Sequence, residues 1–213
     1  MGTTSNYSWP TPEATDLVKD GWEAIKDLGD AADASLKTVA DASGLVHINT
    51  TSFSAVSSFS VNNVFSATYQ NYKMIVNLKG TTTGADLSLR VRVSGTDLTS
   101  GTYNWQRGTF ESTSTTAARG SSATSAQIGQ ARANVSIPED RPIALDMMIS
   151  NVFETEVTTI TSTYSDYASS AAGSPLVQSF YSNVNNLLSY DGFTILVASG
   201  TITGNVIVYG YRK

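Results

Sequence analysis

Asp86–Val93 reads DLSLRVRV, and its alternation decides the fold class. Leu87, Leu89, Val91 and Val93 fall on one face of an extended chain, with Ser88, Arg90 and Arg92 on the other. A period of two with one apolar face is the pattern of a half-buried β-strand. The pattern recurs on both sides of this stretch. Lys73–Lys79 (KMIVNLK) groups Met74, Val76 and Leu78, and Ile143–Ile149 groups Ile143, Leu145, Met147 and Ile149. Glu156–Tyr164 is Thr-rich and β-branched, and Phe193–Val197 with Thr201–Tyr211 reads as a closing pair. Turn residues cluster at Gly80–Gly84, Ser94–Gly101 and Ser189–Gly192,. Thr109–Ser125 is close to low complexity and reads as a long surface loop or a flexible edge rather than a strand. Many short strands with no second helix predict an antiparallel β-sandwich, jelly-roll-like, over residues 44–213.

Residues 1–43 differ in kind. WPTPEATDLVKDGWEAIKDLGDAAD, from Trp9 to Asp33, is charged and periodic at helical spacing. Thr11 is positioned to N-cap a helix, Pro12 suits its first turn, and Glu13 and Asp16 favour the positive end of its dipole. Val18, Ile25, Ala32 and Val39 repeat every seven residues. Leu28 joins this line, while Trp22 and Leu36 flank it, so the stripe must be buried against something. Gly21 and Gly29 each cost about 1 kcal/mol relative to Ala in a helix interior, which makes the helix marginal alone. It is expected to end by Gly44. Three copies around a threefold axis would bury the stripe, and folding back onto the chain's own sandwich is the alternative.

Composition narrows the function. The chain has 213 residues, 40% hydrophobic and 15% charged, enough for one sizeable globular core,. A net charge of −5 lacks the positive field that nucleic acid or an anionic membrane requires,. There are no cysteines, so disulfides and thiolate chemistry are excluded,. The first ten residues, MGTTSNYSWP, have neither a basic region nor an apolar core, and the reading is of a soluble protein made in the cytoplasm,.

Candidate chemistry is sparse. His47 is the single histidine, too few for a histidine metal site, and no metal or cofactor is expected,. Glu154 and Glu156 would share a face of a strand, the ordinary arrangement of a solvated surface, and no enzymatic role is read from them. Arg90 and Arg92 read as a cross-strand pair on an exposed face. Tyr103-Asn104-Trp105 follows a Gly-rich turn and suits a sugar ring, a subunit contact or the core,. Tyr164 and Tyr167 flank Asp166 and complete a set of four rings, Tyr103, Trp105, Tyr164 and Tyr167, taken as candidate receptor contacts.

The stretch NYSWPTPEATDLVKDGWEAIKDLGDAAD resembles the N-terminal segment that opens many tailed-bacteriophage virion proteins. In that family an aromatic, Trp/Pro-Thr-Pro-x-x-T-D start leads into a V-K-D-G-x-x-A-I-x-x-L-G helix. The match is close from Asn6 to Leu28 and includes Trp9, Thr15, Asp16, Val18, Lys19, Asp20, Gly21 and Ile25. The later part, to the terminal GNVIVYGYRK, is similar only in style to the compact β-domains of short phage fibres. The resemblance implies a virion structural protein on the particle exterior: a short tail fibre that binds a host receptor, with a capsid decoration protein as the alternative. It implies that Tyr7, Trp9, Pro10, Pro12 and Asp16 anchor the chain to another virion protein. The apolar line, with Val18, Trp22, Ile25, Leu28, Ala32, Leu36 and Val39 as the expected oligomer interface, is read as gathering a homotrimer,. The expected partners are the chain itself, other virion proteins and a host glycan. The shaft that usually separates anchor from tip is nearly absent here, which points to a short peg.

Overall fold

Each of the six strands predicted from alternation forms, because each offers one continuous apolar face for burial. The computed structural model describes residues 2–13, 17–42, 44–80, 85–111, 114–130, 143–167 and 175–212. It divides into two compact units, Met1–Gly44 and Leu45–Lys213.

In the first unit, β1 (Gly2–Thr3) pairs antiparallel with β2 (Pro10–Thr11). The ribbon is closed by the Thr4 amide donating to the Trp9 carbonyl at 2.9 Å and the Trp9 amide donating to Thr4 Oγ1 at 3.0 Å. A single 3₁₀ turn, Val18–Asp20, leads into helix α1 (Gly21–Ala42). The helix therefore does not start at Thr11, as its residue type and Pro12 suggested. A residue before proline is pushed out of the helical region toward extended backbone, and Thr11 adopts that conformation in β2,. Asp16 lies outside the described residues. The ribbon is clipped to α1 by Trp9, whose indole Nε1 donates to Ser35 Oγ at 2.8 Å.

That clip leaves most of the apolar stripe bare. Val18 is 98% exposed, Trp22 68%, Ile25 66%, Leu36 66% and Val39 62%, while Leu28 and Ala32 are half-buried and Ala24 is buried. Val18 stands in the 3₁₀ turn rather than in the helix proper.

The second unit is an antiparallel two-sheet sandwich. Its strands are β3 (Leu45–Val56), β4 (Ser58–Val61), β5 (Asn71–Gly80), β6 (Asp86–Val93), β7 (Thr96–Asp97), β8 (Tyr103–Phe110) and β9 (Thr115–Ala123). They continue with β10 (Ala126–Gln130), β11 (Ile143–Ser150), β12 (Thr158–Tyr167), β13 (Pro175–Val184), β14 (Gly192–Val197) and β15 (Ile202–Tyr211). The larger sheet runs β3-β15-β5-β11-β12-β13-β8-β9, and the smaller runs β10-β6-β14-β4 with β7 beside β6. Met74, Val76, Leu145, Met147 and Val206 of the larger sheet and Leu89, Val91, Phe193 and Ile195 of the smaller belong to one buried cluster. Each such side chain contributes about 1.5–3 kcal/mol when fully buried. Polar inner positions are paired across the sheets: Ser162 Oγ donates to the Ile128 carbonyl at 2.6 Å and Ser182 Oγ to the Gln127 carbonyl at 3.2 Å.

Two sequence readings change. Thr115–Ala123 is strand β9, not a loop, because the free edge of β8 offers it a backbone hydrogen-bonding partner. Glu154 and Glu156 do not share a strand face; they precede β12, whose first residue is Thr158. The turns show ordinary chemistry. Ser94 and Gly95, at φ 49° and 79°, form a two-residue connection between β6 and β7, where two positive φ angles match strand twist,. The turn residues read at 81–84 lie outside the described residues.

Gly204 is required by packing. It sits in β15 at a register shift against β3, and a side-chain carbon there would overlap the Asn77 carbonyl of β5,. Gly204→Ala is expected to destabilise the sandwich by about 1–3 kcal/mol, the usual range for overpacking. Urea unfolding monitored by tryptophan fluorescence would read this as a lower midpoint. A wild-type midpoint would show that β15 and β5 separate there without penalty.

Candidate functional site

A depression forms where β13, β8 and β9 lie side by side at the edge of the larger sheet. Register sets its contents. Tyr181 of β13 pairs with Gln106 of β8, which pairs with Arg119 of β9, so the three side chains form one row on one face,. The inner residues of β13 are Leu176, Gln178, Phe180, Ser182 and Val184, all buried, so this row takes the opposite, outer face,. Tyr181 is 47% exposed.

Two hollows flank the row. One, of about 380 Å³, is lined by Asn104, Trp105, Gln106, Arg119, Gly120, Ser121, Tyr181 and Asn183. The other, of about 650 Å³, is lined by Gln106, Arg107, Gly108, Ala117, Ala118, Arg119, Ser179, Phe180 and Tyr181. Asn104 fixes the first by donating from Nδ2 to Asn183 Oδ1 at 3.1 Å and accepting the Ser122 amide at 3.3 Å. The second has a low floor, because Gly108 pairs with Ser179 on one side and Ala117 on the other. The ring of Phe110, 51% exposed, lies 3.3 Å from where a Gly108 side chain would start.

The four sequence-predicted rings separate. Tyr103 and Tyr164 are buried and are corrected from receptor contacts to core. The Tyr103 hydroxyl donates to the Leu98 carbonyl at 3.0 Å and accepts the Val91 amide at 3.1 Å. The Tyr164 hydroxyl donates to Gln178 Oε1 at 2.6 Å, and Gln178 Nε2 donates to Thr109 Oγ1 at 3.1 Å. Trp105 pairs with Ser182 and so takes the inner side of the sheet, half-buried, with its indole seated where a Gly120 side chain would be. The Tyr167 side chain lies outside the described residues. Sequence reading missed Tyr181, Arg119 and Gln106, although the alternation of LVQSFYSNV (Leu176–Val184) carries the outward placement of Tyr181.

The remaining candidates lie away from this row. Arg92 donates to Asn62 Oδ1 at 2.9 Å, Ser60 Oγ at 2.8 Å and Thr194 Oγ1 at 2.6 Å, and it is also bonded to Asp97 and the Gly95 carbonyl. Arg90 reaches Asp97 at 3.7 Å. This network ties β4, β14, β6 and the β7 turn together on the outer face of the smaller sheet. His47 is exposed in β3, 2.8 Å from Thr50 Oγ1 and edge-on to Tyr209. In the leader, Tyr7 is exposed and stacks on Trp9 at 5.5 Å, Pro10 belongs to β2, and Pro12 is exposed.

Burial raises the pKa of the Tyr103, Tyr72 and Tyr190 phenols above the ordinary 10.0. The folded chain thus holds these protons when the unfolded chain has released them. Their contribution to stability is complete below about pH 10 and is lost as pH rises through the folded pKa values. Tyr103→Phe is expected to cost about 1–3 kcal/mol at neutral pH, since the Val91 amide and Leu98 carbonyl lose their shared partner. Urea midpoints at pH 7 and 11 check both effects: the variant starts lower but loses less on going alkaline. Equal alkaline losses would contradict the burial argument.

No protein-family model matches this chain, and no curated protein matches it, so the site is read from its geometry alone.

Proposed function

We propose that this protein is a structural component of a tailed-bacteriophage virion, a short fibre whose β-unit attaches to the host surface. The observation that carries this reading is the bare stripe on the first unit. Val18, Trp22, Ile25, Gly29, Ala32, Leu36 and Val39 are spaced alternately four and three residues apart, the seam spacing of helices that wind around one another,. Five of the seven are large apolar side chains that the first unit by itself leaves exposed. Exposing them costs stability and solubility unless another surface covers them, and identical chains supply one. A homotrimer places three such stripes around one axis, with Gly29 leaving room in the layer beside Trp22 and Ile25. The leader residues that match the virion-protein pattern, Tyr7, Trp9, Pro10 and Pro12, then sit beside this helix as the anchor, and Asp16 belongs to the same motif. The sandwich, jelly-roll-like in its strand pattern, is the displayed head.

Two experiments test the reading. Light scattering at micromolar concentration should give three times the 22.6 kDa chain mass, and Ile25→Asp with Leu36→Asp should disperse it to monomers. A wild-type monomer removes the seam. Deleting residues 1–44 should leave a soluble β-unit with an unchanged far-ultraviolet strand signal that no longer incorporates into particles. Incorporation at normal stoichiometry would place the anchor elsewhere.

A further inference from the structure

We propose that the outer groove of β13, β8 and β9 is a site for an acidic oligosaccharide, a glycan bearing uronate carboxylates, and that Arg119 is the residue that selects the charge. This rests on the host-attachment reading and names the class of glycan it would take.

Three observations converge on a sugar. Tyr181 presents an exposed ring to both hollows, and Gly108 and Ala117 line the larger one with little or no side chain, so a flat pyranose can stack against the tyrosine,. Gln106, Asn104 and Asn183 supply amide donors and acceptors on the same face, the groups that read hydroxyls,. The two hollows share Tyr181, Gln106 and Arg119, and at about 380 and 650 Å³ they accommodate more than one sugar ring,.

Charge then chooses among sugars. The chain carries −5 overall, yet neither hollow has a carboxylate among its described lining residues. Arg119 is exposed at the β9 end of the row and belongs to both hollows. Arg107 lines one hollow, but it pairs with the buried Phe180 and so directs its side chain to the other face. At physiological ionic strength the screening length is about 8 Å, so a ligand in the groove responds to Arg119 and little to the net charge of the chain. A guanidinium matches a carboxylate in a two-pronged hydrogen-bonded pair, which a neutral sugar cannot make.

The test is calorimetric titration of the full-length protein with tetragalacturonate, tetramannuronate and the methyl ester of the former, which keeps the rings and loses the charge. At least one free acid should bind in about the millimolar range, and the ester about tenfold more weakly. Arg119→Gln should reduce acid binding to the ester level and leave ester binding unchanged, while Tyr181→Ala should weaken both. Unchanged melting temperatures for the two variants exclude misfolding, as both side chains are exposed. Equal binding of acid and ester overturns the charge assignment. Acid binding unaffected by Arg119→Gln, or no binding of any probe, overturns the site. The virion reading is scored separately by incorporation into particles, so a chain that incorporates and binds no uronate refutes this inference alone.

Discussion

Neither sheet of the β-unit can leave its inner face in water, and most of the molecule follows from that constraint. Met74, Val76, Met147 and Val206 on one side meet Leu89, Val91, Phe193 and Ile195 on the other, and burying them sets the register of every strand that carries them. A one-residue slip in β5, β6 or β11 would turn an apolar row outward and bring a polar row into the core. The polar residues that do face inward are held because each finds a partner. Ser162 and Ser182 reach across to β10, and Tyr164, Gln178 and Thr109 form a buried chain along the larger sheet. These bonds tie β10 to the larger sheet at a place where β12 and β13 offer serine rather than hydrocarbon.

The outer face of the larger sheet is a by-product of the same register. Because Phe180 and Ser182 must point inward, Tyr181 must point outward, and the ladder places Gln106 and Arg119 beside it. The groove is thus backed by the buried face of the same strands, so in the proposed site the ligand would meet side chains whose backbone is already fixed by the core,. Trp105 supports the arrangement from behind. Its indole covers the glycine at position 120, an edge position that would otherwise leave backbone uncovered,.

The first unit follows the opposite logic. Its helix carries an apolar stripe, but its own ribbon covers only the neighbouring face, through Trp9 and Ser35. One unit is complete within a single chain. The other leaves its largest apolar residues exposed within its own unit, and the proposed trimer would cover them with a repeat of three and four that identical chains share,.

The sequence alone determined the strands whose apolar residues alternate, because a period of two reports directly on which side of a chain is buried. Leu87, Leu89 and Val91 are an example, and the helical repeat of Ile25, Ala32 and Val39 is legible for the same reason. What required the tertiary structure was every feature set by a partner strand. TTAARGSSA has no alternation of its own and becomes β9 only because β8 lends it an edge. Thr11 has the chemistry of a helix cap, yet the proline after it and the pairing with Gly2 draw it into a ribbon. The rings were the hardest to place, since Tyr103 and Tyr181 have the same side chain and similar polar neighbours. Only the register separates them: one hydroxyl is buried between the Val91 amide and the Leu98 carbonyl, and the other ring is exposed in a row that ends, one strand beyond Gln106, on an arginine brought from 62 residues away in the chain, at position 119. Local sequence encodes which face of a strand is buried; which strands lie side by side, and so which side chains meet on the other face, is decided by how the whole chain closes its core.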